Sequence, residues 1–162
     1  MVRDSPNPSR PPGGDPWPVD GPYDVFVYGT LKPGGIYWHT HVRNKVVVSM
    51  PAMVRGQLFH LPHRGYPGLL CEPSDAAAPP SWVHGYIHRF EERALVLALD
   101  ELEGYAPDRP AGFNEYQRRF VPVFDLKREP FATVWTYVMR PQQIADNQGE
   151  LVASGDWIVT LF

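Results

Sequence analysis

Glu103 closes the run Leu99-Asp-Glu-Leu-Glu103-Gly104-Tyr105. A carboxylate at a helix end can move protons if its surroundings hold its pKa near neutrality. The spacing predicts a helix over Glu91 to Glu103, with Leu95, Leu99 and Leu102 at i, i+4 and i+7 and Gly104 as its stop. With each residue advancing about 100° around the axis, those leucines define the packed side. Glu103 then falls at the edge of that side, while Asp100 and Glu101 fall progressively outside it. Partial burial and the helix dipole both raise the pKa of a carboxyl in the last turn. An ordinary helix-end glutamate leaning into solvent is the competing account of the same spacing.

A second segment with chemical potential is Tyr28-Gly29-Thr30-Leu31, which follows the apolar, aromatic stretch Tyr23 to Tyr28. That stretch predicts a buried strand. Gly29 permits a tight turn or a close backbone approach, and successive N–H groups there could hold a carboxylate or a developing oxyanion. A plain structural turn is the alternative. The GxxxxGK[ST] spacing of a phosphate loop is missing.

Other constellations are weaker. His39-x-His41 and His60-x-x-His63 lack a nearby carboxylate or cysteine set that would complete a metal site, so no metal is expected. Cys71, after two leucines, fits a buried small hydrophobe better than a nucleophile. Asp156, in Ser154-Gly-Asp-Trp157, fits a turn, and the GxSxG nucleophile pattern is absent.

The elements that must position these residues are numerous and short. The chain has 162 residues, 43% hydrophobic and 20% charged, with 19 prolines and a net charge of −3. That suits one loop-rich globular domain rather than a helical bundle. Basic residues form no run longer than a pair, as at Arg118-Arg119 and Lys127-Arg128, which disfavours nucleic acid as a partner. A single cysteine forms no intramolecular disulfide and favours a reducing, cytoplasmic setting. No apolar run has the length of a membrane span, and the N-terminus lacks the apolar stretch of a secretory signal.

Residues 1–22, rich in proline and glycine, are expected to be a flexible tail, and 23–162 the folded domain. Activity is expected to survive removal of that tail. A short helix is expected over Ile36 to Asn44, and strands over Lys45 to Val54 and Arg55 to Leu61 with a bend near Pro51. Further strands are expected at Leu69 to Cys71, Trp82 to Phe90, Tyr116 to Asp125 and Phe131 to Met139. Many strands and few helices imply an α+β fold with a mixed or closed sheet.

Taken together, Val25-Phe-Val-Tyr28-Gly29-Thr30-Leu31-Lys-Pro-Gly34 and Leu99-Asp-Glu-Leu-Glu103-Gly-Tyr105 resemble the γ-glutamylcyclotransferase-like family. That family includes the γ-glutamylamine cyclotransferases and the avirulence-induced-gene-like proteins of plants. Gly56-Gln-Leu-Phe59, Gly65-Tyr-Pro-Gly68, Trp82-Val-His-Gly85, Tyr116-Gln-Arg-Arg119, Val134-Trp-Thr-Tyr137 and Ser154-Gly-Asp-Trp157 fit it in order, over roughly residues 23–162.

The resemblance implies a mixed β-barrel flanked by short helices. It also implies a cofactor-free cyclisation, in which the α-amine of a γ-glutamyl substrate attacks its own γ-carbonyl and releases 5-oxoproline and an amine. On that basis Glu103 is the general acid and base. Tyr28, Gly29, Thr30 and Leu31 cradle the γ-glutamyl group, Tyr116 lines the pocket and offers a hydroxyl, and Tyr66 also lines it. The loop from Ala106 to Glu115 would shape the leaving-group side. The expected partner is a small γ-glutamyl molecule, with neither membrane nor nucleic acid involved. A metabolite-binding module of the same fold, and an enzyme acting on another amide, remain the alternatives. A further alternative is an interaction protein acting through its proline-rich tail.

Overall fold

The computed structural model describes residues 16–33, 35, 42–71 and 81–157. Among these residues, seven strands and two α-helices follow in the order β1 (Tyr23–Val27), β2 (Val48–Leu61), β3 (Tyr66–Cys71), β4 (Trp82–Phe90), α1 (Arg93–Leu102), β5 (Gln117–Phe124), β6 (Pro130–Val138), α2 (Pro141–Asp146) and β7 (Glu150–Leu151), with a 3-10 turn at Ala111–Phe113. Neighbours run β2-β4-β1-β6-β5, and a contact of β5 with β2 closes these five strands into a barrel. All its pairs are antiparallel except β1 with β6, so the barrel is mixed. Closure removes the exposed edges that an open sheet would present.

The expected two strands with a bend at Pro51 are instead one strand, β2, of 14 residues. Pro51 is exposed and pairs with Tyr86 of β4. Beside it, β2 pairs with β5 only at Met53 among the described residues, so the missing N–H breaks no ladder. The partner changes further on. Arg55 still faces Trp82 of β4, whereas Gly56 faces Cys71 of β3. A Cβ on Gly56 would lie 2.7 Å from the Leu70 carbonyl oxygen, so only glycine lets the two strands approach there.

Alternation divides the core in two. Phe26, Ala52, Val54, Val83, Ile87, Val121, Val123 and Val134, drawn from all five barrel strands, meet in one cluster and must therefore fill the barrel's interior. On the outside, Val25, Val27, Phe90 and Tyr137 pack against Val96 and Leu99 of α1.

Two expectations need correction. Trp17 falls in the stretch expected to be a tail, yet it is 3% exposed and belongs to the outer cluster. A cut removing residues 1–22 would therefore take out a core residue. Residues 1–15, and most of the helix expected over Ile36 to Asn44, lie outside the described residues. The second correction concerns α1, whose buried residues are Val96, Leu99 and Asp100. The packed stripe is centred one position away from the leucines, because a charged partner elsewhere in the chain draws Asp100 inwards.

Among the described residues, no helix is long and apolar enough to cross a membrane. α2, unforeseen in the sequence, begins on Pro141, which suits a first turn where the N–H has no helical acceptor.

Candidate active site

Helix α1 ends in a Schellman arrangement. The Gly104 N–H donates to the Glu101 carbonyl and the Tyr105 N–H to the Asp100 carbonyl, with Gly104 at φ +63°. Glu103 is the residue just before this reversal, and its own N–H still donates to the Leu99 carbonyl. From there its side chain lines a cavity of about 110 Å³, several times the room that one ordered water needs.

The opposite wall is the turn after β1. The Lys32 N–H donates to the Gly29 carbonyl at 3.0 Å, leaving Thr30 and Leu31 at its tip. Among the described residues their N–H groups have no backbone acceptor. Three groups pin this turn from behind. The His88 ring bonds through Nε2 to the Leu31 carbonyl at 2.9 Å, and Lys32 Nζ donates to Asp156 Oδ1 at 2.8 Å and to the Trp157 carbonyl at 2.6 Å. Burial lowers the pKa of His88, so it serves as a neutral Nε2–H donor. Asp156 is thus an anchor for the turn. Gly29 is required for clearance: a Cβ there would lie 2.8 Å from Pro67 Cγ, in the Gly65-Tyr-Pro-Gly68 turn.

All seven residues singled out in the sequence, Glu103, Tyr28, Gly29, Thr30, Leu31, Tyr116 and Tyr66, line this one cavity. Their hydroxyls are largely engaged. Tyr28 donates to the Tyr137 carbonyl at 2.6 Å and Tyr116 to the Pro67 carbonyl at 2.7 Å. Burial pushes both hydroxyls well above the usual tyrosine range, so they stay protonated. Tyr116 thus lines the cavity with its hydroxyl proton donated to the scaffold. Tyr66 donates to Glu115 Oε1, and Arg64 Nη1 approaches the same oxygen at 3.4 Å.

Glu103 differs from all of these. Among the described residues its carboxylate has no hydrogen-bonding partner, and its pKa is raised from 4.5 to about 8. Burial is the main cause and the charge of Asp100 the second. Asp100, three residues earlier, is the opposite case. Its Oδ2 accepts from Arg118 Nη1 at 2.6 Å and from the Trp17 indole at 2.9 Å, and its Oδ1 accepts from the Tyr137 hydroxyl at 2.7 Å. The Arg118 guanidinium lies 4.0 Å from the Trp17 ring centre and about 5 Å from those of Tyr105 and Trp135.

Sequence reasoning missed Tyr137 in the cavity wall and the Asp100–Arg118 pair behind it, and held Glu115 only as the end of a loop. Two of these carried a signal: Glu115 precedes the Tyr116 motif and Tyr137 ends Val134-Trp-Thr-Tyr137. The loop from Ala106 to Glu115 does reach the cavity, through Glu115. It is tied by Glu115 N–H to the Gly104 carbonyl, by Asn114 Oδ1 to the Ala106 N–H, and by Gln143 of α2 to the Asn114 and Glu115 carbonyls.

Of the histidines considered as ligands, His60 is buried and contacts Trp157 Nε1 at 3.3 Å, and His63 contacts Gln148 at 3.1 Å. His39 and His41 lie outside the described residues. Cys71 is partly buried, and burial pushes its thiol up to about 11, so it is protonated and a poor nucleophile.

Solved structures share the fold at low identity. YkqA from Bacillus subtilis is 20% identical with a TM-score of 0.56, the match covering 85% of this chain but 40% of that one. The chain thus spans well under half of YkqA. An AIG2-like protein from Mus musculus is 19% identical with a TM-score of 0.54, over 85% of this chain and 88% of that one. The protein At5g39720.1 from Arabidopsis thaliana is 23% identical with a TM-score of 0.53, over 75% and 74%. No curated protein matches the chain. A family model described as gamma-glutamyl cyclotransferase, AIG2-like, matches residues 25–159, and the chain belongs to that family.

Proposed function

We propose that this protein is a γ-glutamyl cyclotransferase, converting a γ-glutamyl amine or amino acid into 5-oxoproline and the free amine. The observation that carries the reading is Glu103, which has no hydrogen-bonding partner among the described residues and whose pKa burial raises to about 8, in one cavity with Thr30 and Leu31 of the turn. In the proposed reaction Glu103 accepts a proton from the substrate's α-ammonium. The freed nitrogen attacks the γ-carbonyl, closing a five-membered ring. The oxygen that gains charge is met by the turn's N–H groups. As the bond to the leaving nitrogen breaks, Glu103 returns its proton there, and the ring nitrogen gives its second proton to the departing amine, which leaves as an ammonium beside the neutral lactam. Nucleophile and electrophile belong to one molecule, so holding the substrate folded supplies much of the rate. A single cysteine, which forms no intramolecular disulfide, suits a reducing, cytoplasmic setting.

The test is 5-oxoproline release, followed by mass spectrometry, from γ-glutamyl dipeptides, γ-glutamyl-ε-lysine and glutathione. Glu103→Gln keeps the shape and removes the base, and should lower turnover by about 10²–10⁴-fold. Equal turnover by the folded variant would refute the assignment. No product from the wild-type protein on any substrate would favour a binding module or another amide.

A further inference from the structure

We propose that Trp17, ahead of the family-matched region, is a positioning residue of the Glu103 site, acting through Asp100 by closing the helix's buried ion pair off from water. The inference rests on the cyclotransferase reading for its catalytic meaning, but its physical core is independent of that reading.

The geometry assigns Trp17 two contacts with one ion pair. Its indole N–H donates to Asp100 Oδ2 at 2.9 Å, and its ring covers the Arg118 guanidinium at 4.0 Å. The same ring packs edge-on against Tyr23 and Trp135, which fixes its plane. Arg118 has no exposed side-chain surface and Asp100 very little. The family match begins at residue 25, so nothing in the family pattern accounts for a tryptophan at 17.

Asp100 and Glu103 lie three residues apart on α1 and on one face of it. The state of the ion pair therefore reaches the cavity directly. Among the described residues, the other groups around Glu103 are neutral or paired: the hydroxyls of Tyr28 just after β1, Tyr116 just before β5 and Tyr137 in β6, and Glu115 with its Arg64 partner at the rim. That leaves Asp100 as the charge whose field on Glu103 depends on how dry its surroundings are. With Trp17 absent, water reaches the pair, the field is screened, and Glu103 loses part of what holds its proton.

The experiment titrates Glu103 by carbon-13 NMR in full-length protein labelled at glutamate, the signal being assigned by its loss in Glu103→Gln. Trp17→Ala should lower the midpoint by about one pH unit. Trp17→Phe, which keeps one aromatic ring beside Arg118 and loses the N–H with the second ring, should lower it by less. The acid limb of kcat/KM for 5-oxoproline formation should move in the same direction. An unchanged midpoint in folded Trp17→Ala, even with a lower Tm, would make Trp17 a packing residue only and overturn the proposal. If the alanine variant fails to fold, the phenylalanine variant decides in the same way. No 5-oxoproline from the wild type, with the midpoint still lowered in the Trp17 variants, would sink the cyclotransferase reading and leave the coupling standing.

Discussion

Two carboxylates on one face of α1, three residues apart, are treated in opposite ways. Asp100 is given a guanidinium, an indole and a phenol, and both its oxygens are satisfied. Glu103 is given apolar walls, a neighbouring negative charge and no donor among the described residues. The helix presents both, so local structure does not distinguish them. Their partners, from the N-terminal segment, β5 and β6, do. A satisfied buried charge fixes a structure, whereas an unsatisfied one beside a cavity is available for proton transfer.

The contrast can be broken most severely at Asp100. Asp100→Asn leaves the Arg118 guanidinium without the carboxylate it now pairs with, and should cost on the order of 3–5 kcal/mol in denaturant unfolding. A loss below about 1 kcal/mol would mean that the pair is not structural.

Glu103→Gln should have the opposite sign. The folded pKa of Glu103, about 8, lies above its unfolded value of 4.5. As pH rises from 4.5 towards 8 the unfolded chain ionises first, so the wild type loses stability over that window. The glutamine variant does not. The difference should grow across the window, level off above it and reach on the order of 1–3 kcal/mol, discounted for the partly exposed side chain. A difference constant with pH would place the carboxylate in an unperturbed setting.

The smallest effect belongs to Tyr116→Phe, which removes the bond to the Pro67 carbonyl. It should cost about 1 kcal/mol in stability, read from Tm. It should reduce turnover by far less than Glu103→Gln does. A loss of turnover matching that of Glu103→Gln would move Tyr116 from the scaffold into the chemistry.

What was legible in the sequence follows the same division. Glu103 and the Tyr28–Leu31 turn stand in short contiguous motifs, and a helix stopped by Gly104 needs only local signals. β4 was legible to the residue, since strand alternation and flanking loops mark Trp82 and Phe90. Asp100 was misplaced because periodicity weighs apolar residues alone, while its burial depends on Arg118, eighteen residues on. Trp17 was hidden by its neighbours, whose composition suits a tail although one indole has a specific site. The continuity of β2 was hidden in turn by Pro51, whose harmlessness depends on how little is paired beside it.

The Schellman end of α1 also bears on how such a site can vary between relatives. Upstream, buried Val96, Leu99 and Asp100 fix the rotation of the helix; downstream, Gly104 at φ +63° fixes where it stops. One residue inserted between them would swing the carboxylate by about 100° around the axis, away from the cavity. Substitutions along this stretch can be graded, but changes in length cannot. Length variation among active relatives should therefore collect in the loop between Tyr105 and Asn114, outside the span in which the glutamate is phased.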